Sequence, residues 1–135
     1  MYEDWKLKTS VLWLFYTVAF LAVMTLGSLE PGVMKQFLDT GEIGGMKIGQ
    51  ELLLFFAVMI LVPLVMAFLS LTLKDSTSRG ANVVVGIVYT GFQLFALIET
   101  LTLTTVYAYA VLMETAKVVV PALIVWYSWK SKRQA

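Results

Sequence analysis

Glu114 and Lys117 stand three residues apart in a stretch, about Val106 to Trp129, that carries no other charge. At that spacing a carboxylate and an ammonium share one helical face. There they can pass a proton, hold a polar ligand, or simply neutralise each other. The preceding apolar stretch has a matching stripe. Asn82, Tyr89, Gln93 and Thr100 follow one another at 7, 4 and 7 residues and share a face, with Gly86 and Ala96 beside them. Small residues at such positions let two helices approach closely. If these two stretches form an antiparallel pair, Gln93 and Tyr89 come level with Glu114 and Lys117. These four are the ligand-binding candidates, and no residue stands out as catalytic. Glu99 and Glu51 are secondary candidates. Each falls within about two turns of a span boundary, where a carboxylate reaches water, and Glu51 also sits at a helix start, which favours negative charge.

Other chemistries lack their residues. The chain has no histidine and no cysteine, the usual ligands of zinc, haem, copper and iron–sulfur clusters. No metal and no cofactor is therefore expected. No nucleotide-binding loop, nucleophile elbow or paired-carboxylate metal motif occurs. A net charge of +1 gives no footprint for a nucleic-acid partner.

The elements that must position these residues follow from composition. Of 135 residues, 59% are apolar and 14% charged, and the mean hydropathy is +0.82. Soluble domains run at about 45–50% apolar and about 25% charged, and a chain this small cannot hide such an excess in one core. The expected fold class is all-α: an integral membrane four-helix bundle, residues 1–135 forming a single transmembrane domain. Four stretches reach the roughly 20 residues that a helix needs to cross about 30 Å of hydrocarbon: about 9–28, 48–73, 81–100 and 106–129. Runs such as ELLLFFAVMILVPLVMAFLSL do not alternate as barrel strands do. The first span reads as retained rather than as a cleaved signal, since its apolar run is long and no A-x-A site follows. No glycine or proline separates the last two spans, so the reversal is expected in the β-branched stretch Leu101–Thr105.

Along the fourth span, Tyr107, Ala110, Glu114, Lys117, Pro121 and Ser128 form one narrow stripe. Counted from Val106, Glu114 lies about 12 Å deep and Lys117 about 16 Å; counted from Thr102, Gln93 lies about 13 Å deep. Pro63 is expected to kink the second span and free the carbonyl of Met59. Between the first two spans, Val33, Met34, Phe37 and Leu38 recur at helical spacing, with Pro31 at the start, Gly41 at the end and a turn at Gly44–Gly45. A short interfacial helix resting on the bilayer surface is expected there.

Several phrases, in order, carry a resemblance: SVLWLF (10–15), EPGVMK (30–35), VPLVMAFLSLTL (62–73), RGAN (79–82) and IVWYSW (124–129). Over nearly the whole chain they resemble a family of small prokaryotic four-helix membrane proteins, a domain-of-unknown-function family. The resemblance implies four helices and a cell-membrane location, and no activity. Size and topology alone also resemble the DoxX-like proteins. The first span lacks the mid-membrane glutamate of small multidrug exporters, and the chain is too short for the inverted repeats of larger transporters. A pathway through the protein would require a homo-oligomer.

Three functions remain open. The leading one is binding or transport of a small amphipathic molecule, or of protons, at Tyr89, Gln93, Glu114 and Lys117. The alternatives are a structural or accessory subunit without ligand, and a membrane-embedded enzyme acting on a lipid or isoprenoid with Glu114 as acid/base. The only other partner expected is membrane lipid. Seven Lys/Arg lie in the two termini and the second loop (Lys6, Lys8, Lys74, Arg79, Lys130, Lys132, Arg133), against Lys35 and Lys47 in the first loop and none in the third. Both termini should therefore face the cytoplasm, with Trp5, Trp126, Tyr127 and Trp129 forming an aromatic belt on that side. A topology reporter fused at Lys35 is expected on the non-cytoplasmic side; a cytoplasmic signal there would reverse the orientation.

Overall fold

A helix closes its own backbone hydrogen bonds, which hydrocarbon cannot do for it, and this chain places almost all of its apolar residues in helices. The computed structural model describes residues 4–43, 46–102 and 106–134. In chain order these form α1 (Asp4–Ser28), α2 (Val33–Thr40), β1 (Glu42–Ile43), β2 (Met46–Lys47), α3 (Gln50–Thr72), α4 (Asp75–Leu101) and α5 (Ala108–Gln134). Four of the helices are long and apolar enough to cross a membrane: Trp5–Ser28, Gln50–Thr72, Asp75–Leu101 and Ala108–Lys130. They match the four expected spans. The first and third begin earlier than hydropathy suggests, because polar residues at their starts are helical as well. Two residues, the extended Leu73 and then Lys74, make the break between α3 and α4.

The connection between α1 and α3 departs in two details from expectation. Pro31 precedes the helix rather than opening it; the turn runs through Gly32, whose φ of 85° requires glycine. After α2, closed by Gly41 at φ 73°, the chain forms a small antiparallel pair with Glu42 opposite Lys47 and Ile43 opposite Met46. Two-residue strands leave no alternation to read in sequence. The expected turn residues Gly44 and Gly45 lie outside the described residues, as do Leu103, Thr104 and Thr105 of the expected reversal between α4 and α5. α2 buries none of its residues, and Leu38 is 75% exposed, so its apolar face is left largely uncovered by the described residues.

The helices are arranged as a square. α1 packs against α3 and α5, α5 packs against α4, and α3 touches α4 more lightly. α1 and α4 are thus diagonal, and long aromatic side chains fill the centre between them. The Tyr89 ring meets Trp13 and Tyr16 edge to face, with centroids 5.7 and 5.3 Å away, the geometry that ring quadrupoles favour. The starts of α1 and α4 and the ends of α3 and α5 make one end of the bundle, which is rich in cations. There Trp126 and Trp129 are exposed, as an aromatic belt would be, but Trp5 is buried, with the Arg79 guanidinium over its ring.

α4 and α5 approach closely at Gly86. A Cβ there would lie 2.7 Å from Val125 Cγ2 and 3.4 Å from the Pro121 carbonyl oxygen. Gly91, on the same helix, has open space around it. Gly86→Ala is therefore expected to overpack the pair and cost about 1–3 kcal/mol, read as a lower Tm in detergent. Gly91→Ala should be neutral or slightly stabilising.

Candidate functional site

The buried faces of the four helices meet in two polar layers. The layer nearer the cation-rich end is closed. Asn82, fully buried on α4, accepts at Oδ1 from the Trp13 indole N–H (2.7 Å); Ser70 Oγ lies 3.1 Å from the same oxygen and 2.6 Å from the Met66 carbonyl, to which its hydroxyl donates. Its amide nitrogen donates to the Ser78 carbonyl at 2.8 Å, and the Ser78 hydroxyl donates to the Ser70 carbonyl at 3.2 Å. Ser10 of α1 donates to the Ala67 carbonyl on α3 at 2.8 Å. Beneath it, Lys6 reaches both the Leu73 carbonyl (3.0 Å) and the Asp75 carboxylate (2.6 Å). Lys6 thus holds the tight α3–α4 turn to α1. The Asn82 residue types are met from three helices, so this layer needs nothing from outside.

The second layer lies about three turns further along α4, from Asn82 to Gln93, and is open. Glu114 and Lys117 are 7% and 4% exposed and form an ion pair, Nζ to Oε1, at 3.1 Å. The Lys117 ammonium also lies 4.8 Å from the centroid of the Phe20 ring on α1, a cation–π contact in a desolvated place. Gln93, fully buried, donates from Nε2 to the Tyr16 hydroxyl. Tyr16 in turn lies within electrostatic reach of Glu114. Two acceptor atoms in this layer have no partner in the protein: Glu114 Oε2 and Gln93 Oε1.

A Family of unknown function (DUF6326) has a model that matches residues 2–134. The chain belongs to that family. No curated protein and no solved structure matches it, and nothing in the comparisons extends the likeness to DoxX-like proteins. Membership in DUF6326 agrees with the resemblance carried by the motifs and brings no assigned residue with it. The site of this DUF6326 chain therefore has to be read from its own geometry.

Of the four candidates, Glu114, Lys117 and Gln93 fall in the open layer, but Tyr89 has a different partner from the one expected. Its hydroxyl donates to the Met59 carbonyl on α3 at 3.2 Å. Met59 is the residue four before Pro63, whose missing N–H leaves that carbonyl without its helical donor. The tyrosine hydroxyl replaces the lost bond. Glu99 and Glu51 are exposed on their helices and do not join the layer. Tyr16 and Trp13 escaped sequence reading because α1 reads as an uninterrupted apolar run. The available signal was Thr9, Trp13, Tyr16 and Phe20 at helical spacing, since the Trp N–H and Tyr O–H need partners when buried. Near the opposite end, Tyr109 of α5 donates to the Glu30 carboxylate, tying the start of α5 to the α1–α2 turn. Among the described residues no group of three or more His, Cys, Asp or Glu comes together to hold a metal ion.

The compensation between Tyr89 and Pro63 can be measured. Tyr89→Phe is expected to cost about 1 kcal/mol by stranding the Met59 carbonyl. In a Pro63→Ala background the restored N–H serves that carbonyl, and the same change should cost less. A double-mutant cycle on Tm should show coupling of at least about 0.5 kcal/mol; additive effects would separate the two residues.

Proposed function

We propose that this four-helix membrane protein binds a small amphipathic molecule, or passes protons, at the layer formed by Glu114, Lys117, Gln93 and Tyr16. One observation carries the reading: Glu114 Oε2 and Gln93 Oε1 are buried acceptors without a partner. An unmet buried acceptor costs about 1–3 kcal/mol, and the closed Asn82 layer of the same protein meets such atoms. Because both unmet atoms accept, the occupant brings donors: a hydroxyl or protonated amine at the head of an otherwise apolar molecule, or a proton on Glu114 itself. The lipid-facing helices would solvate the tail of such a molecule. Four helices per chain are few to enclose a route across the bilayer, so transport, unlike binding, calls for a homo-oligomer. The excess of Lys and Arg at the end holding both termini supports a cell-membrane protein with both termini in the cytoplasm. No nucleic-acid partner is proposed.

An accessory subunit without ligand is favoured by one fact, the mutual neutralisation of Glu114 and Lys117 at 3.1 Å. Mass spectrometry of molecules that co-purify in mild detergent separates the two. Glu114→Gln alone would leave the Lys117 ammonium buried and unpaired, at a cost of about 3–5 kcal/mol. The informative variant is therefore Glu114→Gln with Lys117→Met, which removes both charges. The expected result is a stoichiometric, non-bulk molecule on the wild type that the folded double variant loses. For protons, the expected result is proton flux into vesicles that hold the wild type and none into vesicles that hold the folded double variant. Bulk lipid alone on both proteins, with no such flux, would leave the accessory role.

A further inference from the structure

The open layer is sealed. Glu114, Lys117 and Gln93 are all buried, so a molecule larger than a proton reaches them only when part of the bundle yields. The four seams differ in what would have to give. α4 and α5 interlock where Gly86 lies against Val125 and Pro121. α1 and α5 are joined at the layer itself by the Lys117 ammonium over the Phe20 ring, and beyond it by Tyr109 on the Glu30 carboxylate. α3 is tied down over one half. After Pro63 it is held to α1 by Ser10 on the Ala67 carbonyl and Lys6 on the Leu73 carbonyl, and to α4 by Ser78 on the Ser70 carbonyl. Before Pro63 it is held differently. Among the described residues, one side-chain hydrogen bond reaches that half, from Tyr89 to the Met59 carbonyl. Every side chain from Leu52 to Val62 is apolar, so the remaining hold is packing. In it Phe55 meets Phe92 of α4, with centroids 6.0 Å apart, and Phe56 meets Phe20 of α1 at 6.5 Å.

From this division we propose that the first half of α3 is a lateral gate between the bilayer and the Glu114 layer, hinged at Pro63 and latched by Tyr89. The proposal rests on the reading of that layer as a binding site, and it names the route by which an amphipathic molecule enters. Three features fit a moving element. Pro63 has no N–H for the Met59 carbonyl, so α3 bends there without breaking a helical hydrogen bond. Apolar contacts to neighbouring helices exchange for equally apolar contacts to acyl chains at little cost. The latch is a single hydrogen bond, which a visiting hydroxyl or amine replaces by donating to the same carbonyl. The rings mark the path. Phe92 and Phe55 are 37% and 44% exposed, on the lipid-facing surface. Phe55 lies 5.9 Å from Phe56, and Phe56 meets Phe20, which sits under the Lys117 ammonium. A tail can follow this row from the lipid while its polar head reaches Glu114 and Gln93, the residue after Phe92.

The test uses the full chain in phosphatidylcholine vesicles and dicyclohexylcarbodiimide, a small apolar reagent that couples to protonated carboxyl groups. Its adduct on Glu114 is read by peptide mass spectrometry, with the exposed Glu51 and Glu99 as references. Tyr89→Phe removes the latch and should raise Glu114 labelling about fivefold against the references, the equilibrium factor of one net hydrogen bond. The chain has no cysteine, so Phe55→Cys with Phe92→Cys provides a single pair of thiols. Joining them with a short thiol-specific cross-linker should suppress Glu114 labelling, while the unjoined pair should label faster than the wild type. Labelling that ignores loss of the latch, or that is equal in joined and unjoined pairs, overturns the gate. So does the lack of a Glu114 adduct on every one of these proteins. A stoichiometric co-purifying molecule alongside such a result would keep the binding reading and remove this route, so the two fail separately. If Tyr89→Phe does not fold, the cysteine pair decides alone.

Discussion

A polar atom carried into hydrocarbon has no solvent to bond with, so its partner has to come from the chain itself. The arrangement of this bundle follows from that constraint. In a square of four helices the diagonal is the widest gap, and the residues that fill it here are Trp13, Tyr16 and Tyr89. Leucines would fill part of the volume, but they could not end in a donor. Trp13 ends on Asn82, Tyr89 ends on Met59, and Tyr16 receives Gln93. Each aromatic side chain fills the centre and completes a bond to a helix it does not belong to. The diagonal is thereby fixed in register, which apolar packing against equally apolar lipid would do only weakly.

The same constraint separates the two polar layers. In the Asn82 layer, donors and acceptors balance across three helices, and the tight α3–α4 turn is drawn onto α1 by Lys6. Such a layer specifies helix pairing and is complete. The Glu114 layer is placed by the same helices and is just as buried, yet it leaves two acceptors unmet. Replacing a buried ion pair by an apolar pair of similar size often costs no stability, and here the pair is met on one carboxylate oxygen only.

How much of this was legible in sequence depended on the range of the interaction. Span positions, the α2 helix and its Gly41 end follow from composition and local period, and the structure has them. The inward faces of α4 and α5 follow from the polar stripes, and Asn82, Gly86, Tyr89 and Gln93 are indeed buried, as are Glu114, Lys117, Pro121 and Ser128. The partner of Tyr89 was not legible. A helical wheel gives the face of a residue, and only the order of helices around the bundle decides which neighbour that face meets. Nor did α1 reveal its share. Its bonds to α4 come from Trp13 and Tyr16, which are counted among the apolar residues although their polar tips do the bonding. The β1–β2 pair rests on four residues, too few for a period.

The two prolines in the spans take on meaning at this point. Each withdraws an N–H from the carbonyl four residues back, Pro63 from Met59 and Pro121 from Lys117. In a membrane, irregular backbone is tolerated where neighbouring side chains or a lined site meet the freed groups. Tyr89 does so for Met59. That leaves the Lys117 carbonyl, on the residue whose ammonium pairs with Glu114, as the one that Tyr89 does not serve. The open layer holds donors as well as acceptors: the Lys117 ammonium, engaged by Glu114 Oε1 and the Phe20 ring, and the Tyr16 hydroxyl proton, since that oxygen accepts from Gln93. A proline inside a span is thus accommodated where a side chain from the facing helix stands in for its N–H, as Tyr89 does for Pro63.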